Sequence, residues 1–155
     1  MTKVDQELIE HMSNPKNYGT IEYADAIGIG ENPDNGEKVI IYIRVSADEE
    51  SGYTISDIKY QAIGCMTTVV AGSVVTEEAK GITFDIADQL IAVTLGMLEN
   101  VPPEDAACSE MVALSLRAAM DTYLGKVDNP DYGTITYKIE NNCTPQEVEN
   151  ENTID

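Results

Sequence analysis

The chain has little histidine, phenylalanine or positive charge, and it lacks tryptophan. Its 155 residues include one histidine, one phenylalanine and no tryptophan, and nine basic residues stand against 28 acidic ones. The formal net charge of −19 repels the phosphates of nucleic acids and of anionic lipid head groups. This charge argues against nucleic acid and membrane as partners and favours basic proteins or metal cations.

Long apolar segments are also missing from the sequence. No run approaches the ~18 residues that a membrane-spanning helix needs, and residues 1–7 contain acids where a signal peptide needs a basic and then an apolar run. We therefore expect a cytoplasmic protein, in which the three cysteines are thiols or metal ligands rather than disulfides. With 43% hydrophobic residues, the chain is long enough to bury a hydrophobic core.

The first half of the chain predicts a short helix followed by three strands. Residues 5–12 have the amphipathic pattern of a helix that ends before Pro15. Asn35-Gly36 favours a hairpin, because both residues tolerate positive φ. The element order predicts an antiparallel meander, whose extended segments are residues 19–29, 38–46 and 53–63.

The second half of the chain predicts helices. Residues 66–80 end with Lys80 in the last turn and Gly81 just beyond it, which is typical of a helix C-terminus. Gly72 inside this segment costs about 1 kcal/mol relative to alanine and indicates close packing at that point. Further along the chain, one or two short helices are expected at residues 84–99, and the clearest helix at residues 107–124.

Residues 126–155 are predicted to form an acidic C-terminal extension beyond a domain of residues 1–125. Within the extension, residues 129–137 repeat the Asn-Pro, Tyr-Gly-Thr-Ile and final Tyr of residues 14–23. The repeat is compatible with an extra strand beside the first one. It is at least as compatible with independent use of the same turn residues.

Two cysteines lie near predicted helix starts. Cys65 separates a predicted strand from a predicted helix, and Cys108 follows Pro102-Pro103. The N-terminus of a helix stabilises the thiolate, which is the form that binds metals or attacks electrophiles. However, a single cysteine in an apolar helix is more often a core residue, and the chain has no Cys-x-x-Cys pair. The spacing alone leaves both interpretations open.

Several short segments occur together in a recognisable order between about residue 7 and residue 124. In that order they resemble the U-type iron–sulfur cluster scaffold family, which includes IscU and the N-terminal domain of NifU. The segments are Asn14-Pro15-Lys16-Asn17, Gly64-Cys65, Val75-Thr76-Glu77 with Lys80-Gly81, Val101-Pro102-Pro103 and Cys108-Ser109.

This resemblance implies an α+β fold in which helices pack on one face of a three-stranded antiparallel sheet. It also implies a scaffold or carrier rather than an enzyme. Members of the family receive sulfur from a cysteine desulfurase, assemble a [2Fe–2S] cluster on three cysteines and an acidic residue, and pass it to apo iron–sulfur acceptor proteins. Cys65 and Cys108 match the second and third of these cysteines and are the predicted cluster ligands.

The first ligand position departs from the family pattern Pro-x-Cys-Gly-Asp. Asn35 stands in place of the cysteine and Glu37 in place of the aspartate, and an amide oxygen is a poor ligand for an iron–sulfide cluster. The predicted site therefore combines Cys65 and Cys108 with the carboxylates of Glu37 and Asp34. The same donors would suit Zn²⁺ or Fe²⁺.

Cys143 and His11 could also serve as ligands, but neither is predicted to do so. Cys143 is within reach along the chain but is predicted to be a tail thiol, and His11 is predicted to be an exposed residue at a helix end.

Three functions follow from these residues. The first is a scaffold or carrier for iron, sulfur or a labile [2Fe–2S] cluster. The second is a module that holds a single zinc or iron ion, or a regulator of a cysteine desulfurase that no longer builds clusters. The third is an enzyme that uses Cys65 as a sulfur-transfer nucleophile, which is disfavoured because no histidine base lies nearby in the sequence.

Overall fold

The computed structural model describes residues 6, 9–10, 13–33, 36–50, 52–64, 66–98 and 103–139. The predicted helix at residues 5–12 falls partly outside this set, and Gln6, Ile9 and Glu10 within it are helical. The elements are β1 (Ala26–Glu31), β2 (Lys38–Asp48), β3 (Gly52–Ile63), α1 (Met66–Ala79), α2 (Phe84–Met97), α3 (Pro103–Asp128) and β4 (Ile135–Lys138).

The sheet has one face that is buried under the helices. Val39, Ile41 and Ile43 alternate along β2 with less buried residues and are fully buried. Side chains in a strand point alternately to opposite faces, so these three share a face. The predicted α+β fold, with helices on one face of the sheet, is confirmed.

The number of strands was predicted incorrectly, because the sheet has four strands in the order β3-β2-β1-β4. β1, β2 and β3 are antiparallel neighbours, as expected from the meander. β4 comes from the predicted C-terminal extension and pairs in parallel with β1. A parallel neighbour cannot be joined by a tight turn, and here β2, β3 and the three helices lie between β1 and β4 along the chain. The repeated sequence therefore does mark a strand beside the first one, whereas the domain boundary at residue 125 stays a prediction.

Two glycines bring α3 into direct contact with β1. A Cβ atom at Gly28 would overlap the backbone nitrogen of Ala119, and a Cβ at Gly30 would overlap the carbonyl oxygen of Met111. We call this contact the glycine seam. It fixes the direction of α3, whose N-terminal end lies toward the Glu31 end of β1.

Two elements, α3 and β1, differ from their predicted bounds by more than two residues. α3 begins at Pro103 and continues through Gly125 to Asp128, whereas the sequence predicted residues 107–124. Gly125 does not stop the helix. Its missing side chain instead makes room for the ring of Tyr132, which a Cβ atom would overlap. β1 begins at Ala26 and not at residue 19, because residues 17–19 contact β3 instead.

The predicted close packing at Gly72 is confirmed. The ring of Tyr60 on β3 occupies the space that a Cβ atom of Gly72 would need. The Tyr60 hydroxyl donates a hydrogen bond to the carbonyl oxygen of Val69 at 2.5 Å. Burial raises the pKa of Tyr60 well above its ordinary value, so the phenol remains protonated and keeps donating.

The described helices contain no segment that is long and apolar enough to cross a membrane.

Candidate functional site

The four strands end together at one edge of the sheet. The strand pairing aligns Ile63 of β3, Lys38 of β2, Glu31 of β1 and Lys138 of β4 in one row. One residue further out at this edge, each strand contributes a residue to what we call the end row: Gly64, Glu37, Asn32 and Ile139. Because strand side chains alternate between the two faces, the end row lies on the helix side of the sheet.

Glu37 brings a carboxylate to the junction that contains Cys65. A Cβ atom at Gly64 would lie 3.0 Å from Cδ and 3.1 Å from Oε2 of Glu37. The carboxylate therefore lies against the residue that precedes Cys65. Cys65 itself is outside the described residues, but Gly64 follows β3 and Met66 begins α1, which confirms the predicted strand-to-helix junction.

The loop between β1 and β2 is closed by its own backbone. The N–H of Asn32 donates to the carbonyl oxygen of Glu37 at 2.8 Å, and the N–H of Gly36 donates to the carbonyl oxygen of Asn32 at 2.9 Å. Gly36 has a φ of 78°, as the predicted hairpin requires. The predicted ligand Asp34 and its neighbour Asn35 lie outside the described residues. Asn32 and Glu37, the described residues joined by the first of these hydrogen bonds, both lie at this edge of the sheet.

Cys108 is buried, with 8% of its surface exposed, and approaches the site from α3. It lies one helical turn before Met111, whose backbone rests on Gly30, and therefore toward the end row. Its position in the helix differs from the prediction. Because α3 begins at Pro103, Cys108 is in the second turn. The helix dipole falls off beyond the first turn, so it favours a thiolate at Cys108 less than the sequence suggested.

Two segments that carry the family resemblance contact each other and hold α1 in place. The N–H of Lys16 donates to Ser73 Oγ at 2.7 Å, and Asn17 Nδ2 donates to Thr76 Oγ1 at 3.2 Å. The N–H of Tyr60 donates to the carbonyl oxygen of Asn17 at 3.0 Å. This clamp, formed by Lys16 and Asn17, joins the second half of α1 to β3.

The sequence analysis missed two features of this region. It gave no structural role to the residues of the clamp, whose partners are distant in sequence. It also did not single out Glu110, which is only 8% exposed and lies two residues after Cys108. A lone glutamate in a helical segment gives no signal in the sequence that it is buried.

The predicted ligand set is only partly within the described residues. Glu37 and Cys108 are in the described set, whereas Cys65, Asp34, Cys143 and His11 fall outside it. Among the residues that the structure describes, no group of three or more histidine, cysteine or acidic side chains could hold a metal ion. The complete set of ligands therefore stays a prediction.

A separate apolar groove of about 350 Å³ lies between α1 and α2. Its walls are mainly aliphatic, with Glu78 as the charged exception, and Ser109 at its edge is the neighbour of Cys108. Glu37 and Cys108, the predicted ligands that the structure describes, do not line it.

Known proteins share both the sequence pattern and the fold. The family model for the NifU-like N terminal domain matches residues 3–130. The iron–sulfur cluster assembly scaffold protein IscU 1 of Archaeoglobus fulgidus is 36% identical over 129 residues, which cover 79% of each chain. IscU of Aquifex aeolicus is 27% identical, over 79% of this chain and 76% of its own. The N-terminal NifU-like protein of Brucella abortus superimposes with a TM-score of 0.63 at 14% identity, over 78% of this chain and 94% of its own, and supports the fold alone.

Proposed function

Because the chain belongs to the family of NifU-like N-terminal domains, we propose that it is an iron–sulfur cluster assembly scaffold. The observation that carries the proposal is the convergence at the end row. The Glu37 carboxylate lies against Gly64, beside Cys65, and α3 directs Cys108 to the same edge of the sheet. The cluster would be the cargo of this site: it would be assembled there and then passed to another protein.

The proposed donors suit a [2Fe–2S] cluster. Cys65 and Cys108 would supply thiolates, the ligands that iron–sulfur clusters prefer. Glu37, and Asp34 on the same loop, would supply carboxylate oxygens. The start of α1 favours the thiolate of Cys65, whereas the burial of Cys108 shields its sulfur from solvent.

The proposed partners are a cysteine desulfurase and apo iron–sulfur acceptor proteins. The desulfurase would carry out the sulfur chemistry, so this chain would act as a scaffold and not as an enzyme. A net charge of −19 favours a partner with a basic docking surface. We place this exchange in the cytoplasm.

The second candidate is a single-metal module that holds zinc or iron. It is favoured by Asn35, because an amide at the first ligand position leaves two thiols and two carboxylates as the donors. Zn²⁺ binds such a mixed set of sulfur and oxygen ligands tetrahedrally.

Anaerobic reconstitution with ferrous iron and sulfide distinguishes the two candidates. A scaffold should develop visible charge-transfer absorption, which Cys65→Ala and Cys108→Ala should abolish. Glu37→Gln should shorten the lifetime of the chromophore, whereas Glu78→Gln, at a carboxylate in the groove, should not. A colourless protein that retains zinc through Cys65 and Cys108 would overturn the scaffold proposal in favour of the metal module.

A further inference from the structure

α1 carries apolar or small side chains on two different faces. Thr68, Gly72 and Ala79 are buried on the face toward the sheet. Val70 and Val74 lie on another face, line the groove between α1 and α2, and are only half-buried. Valine is a weak helix former, so helix propensity does not account for these two residues. A helix that is apolar all round is normally covered all round, which indicates that the groove receives an apolar occupant.

α2 extends the groove with an exposed apolar stripe. Ile86, Leu90, Val93 and Met97 are spaced by four, three and four residues, so they lie on one side of the helix. Three of them are more than half exposed, with Met97 at 71%, and Leu90 and Met97 also line the groove. At 1.5 Å per residue the stripe is about 16 Å long. This length and the heptad-like spacing suit a helix of about three turns.

The charge at the groove is negative. Glu78 is the charged residue among those that line it, and it lies in the last turn of α1 (Met66–Ala79), where the helix dipole is also negative. The ion pairs within the described part of the chain use the carboxylates of Glu10, Asp57 and Asp88, and Glu78 is in none of them. A cation from outside this protein would therefore be favoured at the Glu78 end of the groove.

The charge disfavours two occupants that come from this chain itself. Residues 140–155 contain five acidic residues and no basic one. A second copy that docked through the same helices would bring like charges together, because α1 and α2 contain no basic residue. Their charged residues are Glu77, Glu78, Asp85 and Asp88. A different protein, with basic residues beside its apolar ones, suits the groove better.

We propose that the groove and the stripe form a docking site for an amphipathic helix of another protein. The apolar side of that helix would cover Val74, Leu90 and Met97, and a lysine or arginine on it would pair with Glu78. The inference rests on α1 and α2 and does not depend on whether the chain assembles a cluster. Since Ser109 at the edge of the groove is the neighbour of Cys108, a docked partner would lie close to the candidate site.

Binding is tested by fluorescence anisotropy with a synthetic peptide as the probe. The probe is a fluorescein-labelled peptide of three heptads, with leucine at two positions of each heptad and lysine beside them. The control peptide has the same composition, but its leucines are distributed around the helix. The full-length chain should bind the probe in a saturable manner and the control peptide about tenfold more weakly.

Substitutions in the chain locate the bound probe. Val74→Gln and Met97→Gln should each weaken binding by about tenfold, as expected for central apolar contacts. Val127→Gln, at an exposed valine in the last turn of α3, is the matched control and should have no effect. Glu78→Gln should weaken binding by about two- to fivefold at low salt and reduce its salt dependence. Glu50→Gln, in the turn between β2 and β3, should do neither.

Met97→Gln changes an exposed side chain, so it keeps the test valid even if Val74→Gln fails to fold. Equal binding of the two peptides, or wild-type affinity in Met97→Gln, would overturn the proposal, because general attraction between opposite charges would then explain the binding. A dimer in sedimentation that Met97→Gln dissociates would also overturn it and would assign the groove to a second copy.

The readout is separate from that of the proposed function. Met97→Gln should leave the lifetime of a reconstituted cluster unchanged, so failure of the peptide to bind leaves the scaffold function standing. A protein that takes up no cluster but binds the probe through the groove would overturn the scaffold function and support the docking site.

Discussion

The hydroxyl of Tyr137 on β4 donates a hydrogen bond to the carboxylate of Asp121 on α3, with 2.5 Å between the oxygens. This bond, with partial burial and the charge of Asp121, raises the pKa of Tyr137 from 10.0 to about 12. The protonated phenol is the form that donates, so the native state favours it. The bond connects β4 with the helix that carries Cys108.

The first prediction concerns the pH dependence of this bond. A pKa raised in the folded state contributes stability that is complete below the unfolded pKa of about 10 and is lost as the pH rises toward 12. Tyr137→Phe should therefore lower the free energy of unfolding by about 1–2 kcal/mol near neutral pH, and this difference should shrink above pH ~10. Denaturant unfolding at several pH values measures it. Tyr23→Phe, at an exposed position, should have no effect, and a difference that stays constant to pH ~12 would contradict the assignment.

The second prediction concerns the glycine seam. Gly30→Ala should destabilise the fold by about 3 kcal/mol or more, because its Cβ atom would overlap the backbone of α3 and not a movable side chain. Gly96→Ala is the matched control, since it lies in α2 with no atom within 4 Å of the added methyl group. It should be neutral or stabilising by up to about 1 kcal/mol. Thermal and chemical unfolding compare the two variants, and equal stabilities would refute the seam.

The third prediction concerns the contact between Glu37 and Gly64. Gly64→Ala should move the Glu37 carboxylate, since the added Cβ atom would lie 3.0 Å from its Cδ. The cost in stability should stay below about 1 kcal/mol, because the displaced atoms are the end of a flexible side chain. The lifetime of a reconstituted cluster should nevertheless fall toward that of Glu37→Gln. Gly133→Ala, which has open space around the added methyl group, should leave the lifetime unchanged.

The fourth prediction concerns the clamp. Asn17 has a φ of 64°, in the left-handed region, and its side chain donates to Thr76. Asn17→Ala loses the hydrogen bond and also strains the backbone, so it should cost about 2 kcal/mol. Asn17→Gly loses only the hydrogen bond and should cost less. If the two variants are equally stable in denaturant unfolding, the backbone conformation of Asn17 contributes nothing.

The fifth prediction concerns the proposed desulfurase. Binding should weaken as salt is added, because charges on separate surfaces are screened over a Debye length of about 8–10 Å. Labelled sulfur should be transferred to the wild-type chain and not to Cys65→Ala or Cys108→Ala. A pull-down across salt concentrations, followed by transfer assays, measures both. Absence of binding at low salt would count against the scaffold and for a single-metal module that acts without a desulfurase.

The sequence predicted those parts of the fold that depend on local signals. Asn35-Gly36 placed the hairpin, and Lys80-Gly81 placed the end of α1 to within a residue. By contrast, Gly125 was misleading, because a glycine that ends a helix and one that makes room for an aromatic ring look the same in sequence. Only the distant residue Tyr132 distinguishes them.

The sequence could name candidate ligands, whose role stays a prediction, but it could not show the contacts around them. The family resemblance pointed to Cys65, Cys108 and Glu37, and two of these are placed at one edge of the sheet. The role of β4 could not be inferred, because its pairing with β1 joins residues that are far apart along the chain, and the repeat at residues 129–137 was equally consistent with turn chemistry. The clamp from Lys16 and Asn17 to α1 could not be predicted either, because its partners are also far apart along the chain.

The glycine seam also determines which wall of the site can adapt to its cargo. Where the backbone of α3 rests directly on β1, no side chains lie between them that could change rotamer and let the helix slide. We therefore expect the amides of β1 and the middle of α3 to exchange with solvent deuterium only through global unfolding. Cys108 would therefore be a stationary wall of the site, and any movement that admits or releases a cluster would have to come from walls other than α3.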